Sequence, residues 1–312
     1  MNLLHLRYAL EVERTSSISK AAENLYMGQP NLSRAIKELE ESLGLTIFRR
    51  TPRGILPTTE GAEFLEHARE IVEKVEQVEA LYKGGSQERQ RFSISVPRAS
   101  YIAHAFAHFA CQLDAQAAME LYFRETNAMR AINNVLTGEC NLGIIRHQVA
   151  FAPYFSNLLY EKGLREEQIC EYAYLALMHR THPLAGEESV SVQQLADYIE
   201  IAHGDPYVPS LSTKEARRAE LTEGCQRQIF VFERASQFDL LRTLPGCYMW
   251  VSAIPDTLLE CYNLVQKPCH GQNRRYRDVL ISKKNYSLTE LDKLFLNELD
   301  EVKAIINNPQ LD

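Results

Sequence analysis

Gln29, Asn31, Ser33, Arg34 and Lys37 fall within nine residues of one another, and their groups are those that recognise nucleic acid. Amides can pair with base edges, while a hydroxyl and two cations suit phosphate. Pro30 sits among them near a first helical position, where its missing N–H costs nothing. Further on, Phe48-Arg49-Arg50-Thr51-Pro52-Arg53-Gly54 sets three arginines around a Pro/Gly turn. That is the pattern of a short hairpin able to hold phosphate or probe a minor groove, with Arg50 and Arg53 at its tip. From residue 29 to 53 five basic side chains face three acidic ones, although the whole chain carries −7.

Two helices must position these groups. Ser17 can cap a segment in which Ile18, Ala21, Ala22 and Leu25 recur at helical spacing. Tyr26-Met27-Gly28 breaks it, and a second helix follows, with Leu32, Ile36, Leu39 and Leu43 down one face and Gly44 as its stop. The polar side chains lie on the other face, toward the N-terminal end that would enter a major groove; Glu38, Glu40 and Glu41 come later. Leu3, Leu6, Tyr8, Leu10 and Val12 mark a preceding helix behind the pair. The helices alone fit an ordinary amphipathic hairpin equally well, and the basic turn favours the DNA reading.

Ser-Ile-Ser-Lys-Ala-Ala-Glu-Asn-Leu, Gln-Pro-Asn-Leu-Ser-Arg-Ala-Ile-Lys-Glu-Leu-Glu, Gly-Leu-Thr-Ile-Phe-Arg-Arg and Thr-Thr-Glu-Gly together resemble the N-terminal domain of LysR-type transcriptional regulators. The resemblance implies a multidomain chain: an all-α winged helix-turn-helix domain (residues 1–58), a linker and dimerisation helix with hinge (59–90), and an α/β two-lobed effector domain of periplasmic-binding-protein type. By position it places Gln29, Pro30, Asn31, Ser33, Arg34 and Lys37 on the recognition helix and Arg50 and Arg53 on the wing. It implies double-stranded promoter DNA as partner, and dimers assembled into tetramers. One position departs: Gly28 stands where the family usually has Ser or Thr. Glycine still caps a helix at a loss of about a few tenths of a kcal/mol, but offers phosphate no hydroxyl.

A long helix should begin near Thr58 or Thr59, with Glu60 and Glu63 suited to its positive end. Phe64, Ala68, Ile71, Val75, Val78 and Tyr82 step down it as in a coiled coil, widened by Leu65 and Val72. With only the polar run Gly84 to Arg91 following, a second copy is the expected partner of this seam and Gly84-Gly85-Ser86 the hinge.

From Phe92 onward apolar runs alternate with helical segments, which predicts mainly parallel sheets. Strands are expected at 92–96, 120–123, 141–145, 169–178, 199–202, 229–232, 248–252 and 276–282, with a terminal helix over 288–306. Two crossings make two lobes, residues 91–165 with 270–312 and residues 166–269. Ligands of such sheets bind beyond the carboxyl ends of strands. The first-lobe candidates are Arg98, Ser100, Tyr101, Arg146 and His147; His203, Arg234, Ser236 and Gln237 face them from the second. Several cations near one cleft would suit an anionic effector.

Length and composition, 312 residues with 45% hydrophobic and 24% charged, exceed one core and are ordinary for a globular protein. The N-terminus is broken by His5, Arg7, Glu11 and Glu13, so neither an export signal nor a membrane span is read there and a cytoplasmic location is expected. Seven scattered cysteines without a C-x-x-C pair read as reduced, buried thiols. Some members of the family sense peroxide through a cysteine pair; only Cys261 and Cys269 lie close here. No metal or cofactor spacing and no G-x-S-x-G, phosphate loop or H-E-x-x-H is present, so an enzyme is not expected. The competing reading is a small-molecule binding protein without a gene-regulatory role, which the helix-turn-helix argues against.

Overall fold

The computed structural model describes residues 2–51, 54–82 and 90–307. Arg53 and the Gly84-Gly85-Ser86 hinge lie outside them, as do the side chains of Arg50, Val78 and Tyr82. The chain divides into two compact units, residues 1–88 and 89–312.

The first unit is three helices, a hairpin and a long helix. Asn2 caps α1 (Leu3–Thr15) by accepting from the Leu4 N–H, and Ser17 caps α2 (Ile18–Asn24) by accepting from that of Lys20. Gly28 starts α3 (Gln29–Leu43) with no side-chain cap, and Gly44 ends it in left-handed backbone, φ 68°. β1 (Phe48–Thr51) and β2 (Gly54–Pro57) pair antiparallel as the expected wing. Glu40 fastens α3 to it by accepting from the N–H groups of Ile47 and Phe48, at 2.7 and 3.1 Å. Thr58 caps α4 (Thr59–Tyr82), accepting from the Gly61 N–H at 2.9 Å.

Leu6, Val12, Ala22, Leu32, Leu39 and Ile47 meet in one core, each leucine buried there contributing roughly 2 kcal/mol. The seam expected along α4 divides. Ala68, with Leu65 and Val72, is buried in this same core, whereas Ile71 remains 41% exposed. Arg69 adds an ion pair to Glu13 of α1 at 2.8 Å. The N-terminal half of α4 therefore packs on its own unit, because the 65/68/72 stripe is the face turned to α1.

The second unit runs β3 (Gln90–Val96), α5 (Ser100–Cys111), β4 (Met119–Glu125), α6 (Ala128–Leu136), β5 (Leu142–Gln148), α7 (Ala152–Glu161) and β6 (Leu164–Ala173). It continues through β7 (Leu175–His179), β8 (Val190–Ser191), α8 (Val192–Leu195), β9 (Ile199–His203), α9 (Thr213–Glu220), β10 (Arg227–Val231) and α10 (Arg234–Thr243). β11 (Cys247–Val251), α11 (Asp256–Cys261), β12 (Leu264–Lys267), β13 (Cys269–His270), β14 (Arg275–Lys283) and α12 (Glu290–Asn307) complete it.

Two five-stranded sheets result, ordered β4-β3-β5-β14-β6 and β10-β9-β11-β7-β12. In each sheet four of the five strands run the same way, as expected, and one reversed strand, β14 in the first and β7 in the second, pairs antiparallel with both its neighbours. Side chains alternate across the first sheet as pleating requires. Ile144 and Leu280 meet Phe92, Phe109 and Phe295 on the α5/α12 side, while Ile145, Val279 and Ile281 meet α6 and α7.

The expected lobe boundary at 166 falls inside β6, which pairs with β14 along its length, so the first lobe extends to Ala173. The expected strand over 169–178 is two strands in different sheets, meeting at Tyr174. The chain returns only with β14 at Arg275, since β13 pairs with β8. Cys111 and Cys261 are exposed, against the expectation of burial; Cys140, Cys225 and Cys247 are buried.

Candidate nucleic-acid interface and effector cleft

On α3 the apolar stripe Leu32, Ile36 and Leu39 is buried, which leaves Gln29, Pro30, Asn31, Arg34 and Lys37 exposed and Ser33 half-buried. Lys37 lies 3.6 Å from Glu41 in a surface pair, an interaction weak enough to give way to phosphate. Arg49 is exposed on β1. Helix and wing thus present amides and cations on a rigid support, the geometry of a duplex-reading head.

In the second unit a cavity of about 160 Å³ opens between the lobes. Arg98, Arg146, His147 and His203 line it, as the strand-end rule led one to expect. The other candidates do not reach it. Tyr101 turns into the core and donates to Asp278 at 2.5 Å, while Ser100 accepts from Arg234 at 2.9 Å. Arg234 also bridges the lobes to Glu125 at 3.0 Å. Gln237 is buried on α10, its Oε1 without a partner, and Ser236 is not part of the lining.

The lining arginines are already committed. Arg98 holds Asp205 across the cleft through two hydrogen bonds of 2.9 and 3.3 Å, and Asn127 donates to the Asp205 carbonyl at 3.1 Å. Arg146 grips Asp278 in the same forked way and lies over the rings of Tyr172 and Tyr174. Burial works against its charge, yet the Asp278 carboxylate together with Tyr172 and Tyr174 offsets that and holds its pKa well above the ordinary arginine value. Arg217 donates to the Gly204 carbonyl beside Phe230 and Phe232. Three lining arginines face three lining acids, Glu200, Asp205 and Glu220, so the surplus of cations expected for an anionic effector is absent.

Both histidines are held neutral. Burial, reinforced by Arg98, lowers His203 to about 3, and its Nδ1 is buried without a hydrogen-bond partner. His147 is lowered by burial too and stacks on Phe155, with ring centres 4.6 Å apart. Sequence reasoning missed much of the wall. Glu220 accepts from Gln148 at 2.7 Å and from Tyr276 at 2.5 Å. Burial pushes Tyr174 up to about 12, and its ring stacks on Tyr276 at 4.0 Å. Glu220 ends α9, Gln148 and Tyr276 lie in strands and Tyr174 between two strands, and no local pattern marks any of them.

A winged helix-turn-helix joined to a two-lobed ligand-binding unit defines a class of sensor-coupled DNA-binding proteins. Residues 3–62 match the bacterial regulatory helix-turn-helix protein, lysR family, and residues 85–304 match the LysR substrate binding domain. The chain belongs to the LysR family. It is 28% identical to the HTH-type transcriptional regulator YnfL of Escherichia coli (strain K12) over 201 residues, 63% of each protein. With the HTH-type transcriptional regulator AlsR of Bacillus subtilis (strain 168) it shares 23% over 272 residues, 85% of this chain and 83% of that one.

Among solved structures it resembles full-length OxyR from Pseudomonas aeruginosa, with TM-score 0.61 and 19% identity over 96% of this chain and 98% of that one. Full-length CbnR complexed with its target DNA gives TM-score 0.53 and 17% identity over 97% and 100%. Among the described residues no helix is long and apolar enough to cross a membrane, and no cluster of side chains could hold a metal ion.

Proposed function

We propose that this LysR-family protein is a cytoplasmic regulator, not an enzyme, that binds promoter DNA as a dimer or dimer of dimers and responds to a small molecule in the cleft of its second unit. The exposed polar end of α3 carries the reading, with Gln29, Asn31, Arg34 and Lys37 set on a helix whose opposite face is locked in the core. Ser33, Pro30, Arg50 and Arg53 complete the contact surface by position in the motif. The CbnR structure, solved on its target DNA, has the same fold and supports this use of the helix. Ile71, exposed on α4, is the start of the surface through which two copies would pair.

The effector we infer is small and uncharged. Arg98 and Arg146 are each paired with a carboxylate and Arg217 is tied to a backbone carbonyl, while Tyr174, Tyr207, Trp250 and Tyr276 supply aromatic walls. His203 lines the cavity, and its buried Nδ1 has no hydrogen-bond partner among the described residues. Such a ligand regulates by binding one lobe arrangement better than another.

Titration with duplex from the protein's own upstream region, across a salt series, tests the function. A steep salt slope and clear preference over random duplex are expected. Indifference to sequence would leave a small-molecule-binding protein instead.

A further inference from the structure

We propose that Tyr26 is a DNA-contacting residue, its phenol hydroxyl meeting a backbone phosphate beside Gly28, a position that offers no side chain for that purpose. The inference rests on the reading of the first unit as a duplex-binding head.

The turn between α2 and α3 is built from two backbone hydrogen bonds, Met27 N–H to the Ala22 carbonyl at 3.0 Å and Tyr26 N–H to that of Glu23 at 3.1 Å. This closing pattern forces the residue after the helix cap into left-handed backbone, and Tyr26 has φ 53°. Glycine is the usual occupant of such a position, because a Cβ crowds the neighbouring carbonyl. Here the occupant is a tyrosine whose side chain is 98% exposed. Its ring packs against no core and its hydroxyl makes no hydrogen bond to the described residues. The left-handed backbone serves the turn, but the ring adds nothing to it or to the core, and glycine would close the same turn without the strain. What the ring serves lies outside the chain.

Its surroundings identify the occupant. Tyr26 stands three residues before the start of α3, and Gly28, Gln29, Pro30 and Asn31 beside it are all exposed, so the ring extends the same polar surface. A phenol O–H is a good donor to phosphate oxygens, and a short aromatic arm loses little rotational freedom on docking. Gly28 has room for a serine: an added Cβ would meet Pro30 and Asn31 no closer than 3.8 Å.

The test compares the full chain with Tyr26→Phe and Tyr26→Gly, titrated by fluorescence anisotropy at fixed salt against upstream-region duplex and a scrambled duplex of equal length. Tyr26→Phe should weaken both complexes by roughly 3- to 10-fold, because a phosphate contact carries no sequence information. Tyr26→Gly should weaken binding at least as much while its melting temperature stays equal or rises, since the left-handed strain is gone. Adding Gly28→Ser to Tyr26→Phe should restore most of the loss. Unchanged affinity for Tyr26→Phe overturns the hydroxyl contact, even if Tyr26→Gly binds less well. A wild-type chain that binds neither duplex overturns the reading of the whole first unit, so the two failures are separable.

Discussion

Arg146 and Asp278 face each other across neighbouring strands of the first sheet and close a two-point ion pair, Nε to Oδ1 at 2.8 Å and Nη2 to Oδ2 at 2.7 Å. Asp278 is fully buried and accepts from Tyr101 and Tyr172 as well, so a single carboxylate organises four donor contacts. Arg146→Ala should therefore cost about 3–5 kcal/mol in urea unfolding, because it strands a buried charge. Arg146→Met combined with Asp278→Leu should recover most of that. An arginine held in reserve for a ligand would instead leave stability unchanged.

The Arg98–Asp205 pair is of a different kind, for it joins the two lobes. Asp205→Ala should cost about 2 kcal/mol by leaving Arg98 unpaired, and should raise hydrogen exchange in the Asp205–Tyr207 loop. Exchange equal to wild type there would mean that the pair does not hold the cleft.

His203 makes stability depend on pH with a definite sign. Its folded pKa of about 3 lies below the ordinary histidine value, so the neutral form belongs to the fold. Its contribution is complete above about pH 6.5 and is lost progressively as pH falls toward the folded value. The groups facing it are Arg98, Asp205, Arg146 and Arg234. Between pH 7 and 5, His203→Gln should flatten the fall in melting temperature, leaving the smaller part due to His147, which burial shifts in the same direction.

Gly61 lies in the first turn of α4, where an added Cβ would sit 2.0 Å from the Ile47 carbonyl oxygen. That atom is backbone and already accepts from the Thr58 N–H at 2.9 Å, so it cannot move aside cheaply. Gly61→Ala should cost about 1–3 kcal/mol in the first unit, read as an earlier thermal transition. A transition at the wild-type temperature would refute the contact.

On the reading helix, Arg34→Ala should lower affinity for the upstream duplex and reduce the salt slope by about 1 if the guanidinium meets phosphate. If it reads a base instead, the slope should hold while discrimination at one position relaxes. No change in either quantity would remove Arg34 from the interface.

The first unit was legible because its signals are local. Ser17 caps α2 through its hydroxyl, Gly28 starts α3, Gly44 stops it through backbone freedom, and the α3 stripe follows from period alone. The second unit was legible only in part. After the buried Leu164, β6 runs through Arg165, Glu166, Glu167 and Gln168, all exposed on an edge strand, so no apolar run announces it. The switch between sheets at Tyr174 occurs without a glycine or proline, in the middle of a continuous run. Strand direction depends on which neighbours are chosen, and sequence spacing is silent about that.

The cleft shows the same division. Arg98 follows β3, and Arg146, His147 and His203 lie in the last residues of β5 and β9, so a topological rule finds them. Asp205, Asp278 and Glu220 are brought in by tertiary packing, and they are what pair with Arg98, Arg146 and the Gln148 amide. A rule that finds the cations without their counter-charges leads to an anionic ligand, which is how that expectation arose.

β6 and β14 are hydrogen-bonded neighbours from Arg275 opposite Ala173 to Lys283 opposite Leu164, with one bulge between Asp278 and Val279. The whole second lobe is consequently a loop insertion within an antiparallel hairpin: its two points of attachment are adjacent, and everything between them could be exchanged for a tight reverse turn. The first lobe is thus the host and the second its guest. The sheet that receives the chain after β3 keeps its five strands whichever guest it carries, so the ligand-facing half of the cleft contributed by residues 175–274 can vary without re-threading the host.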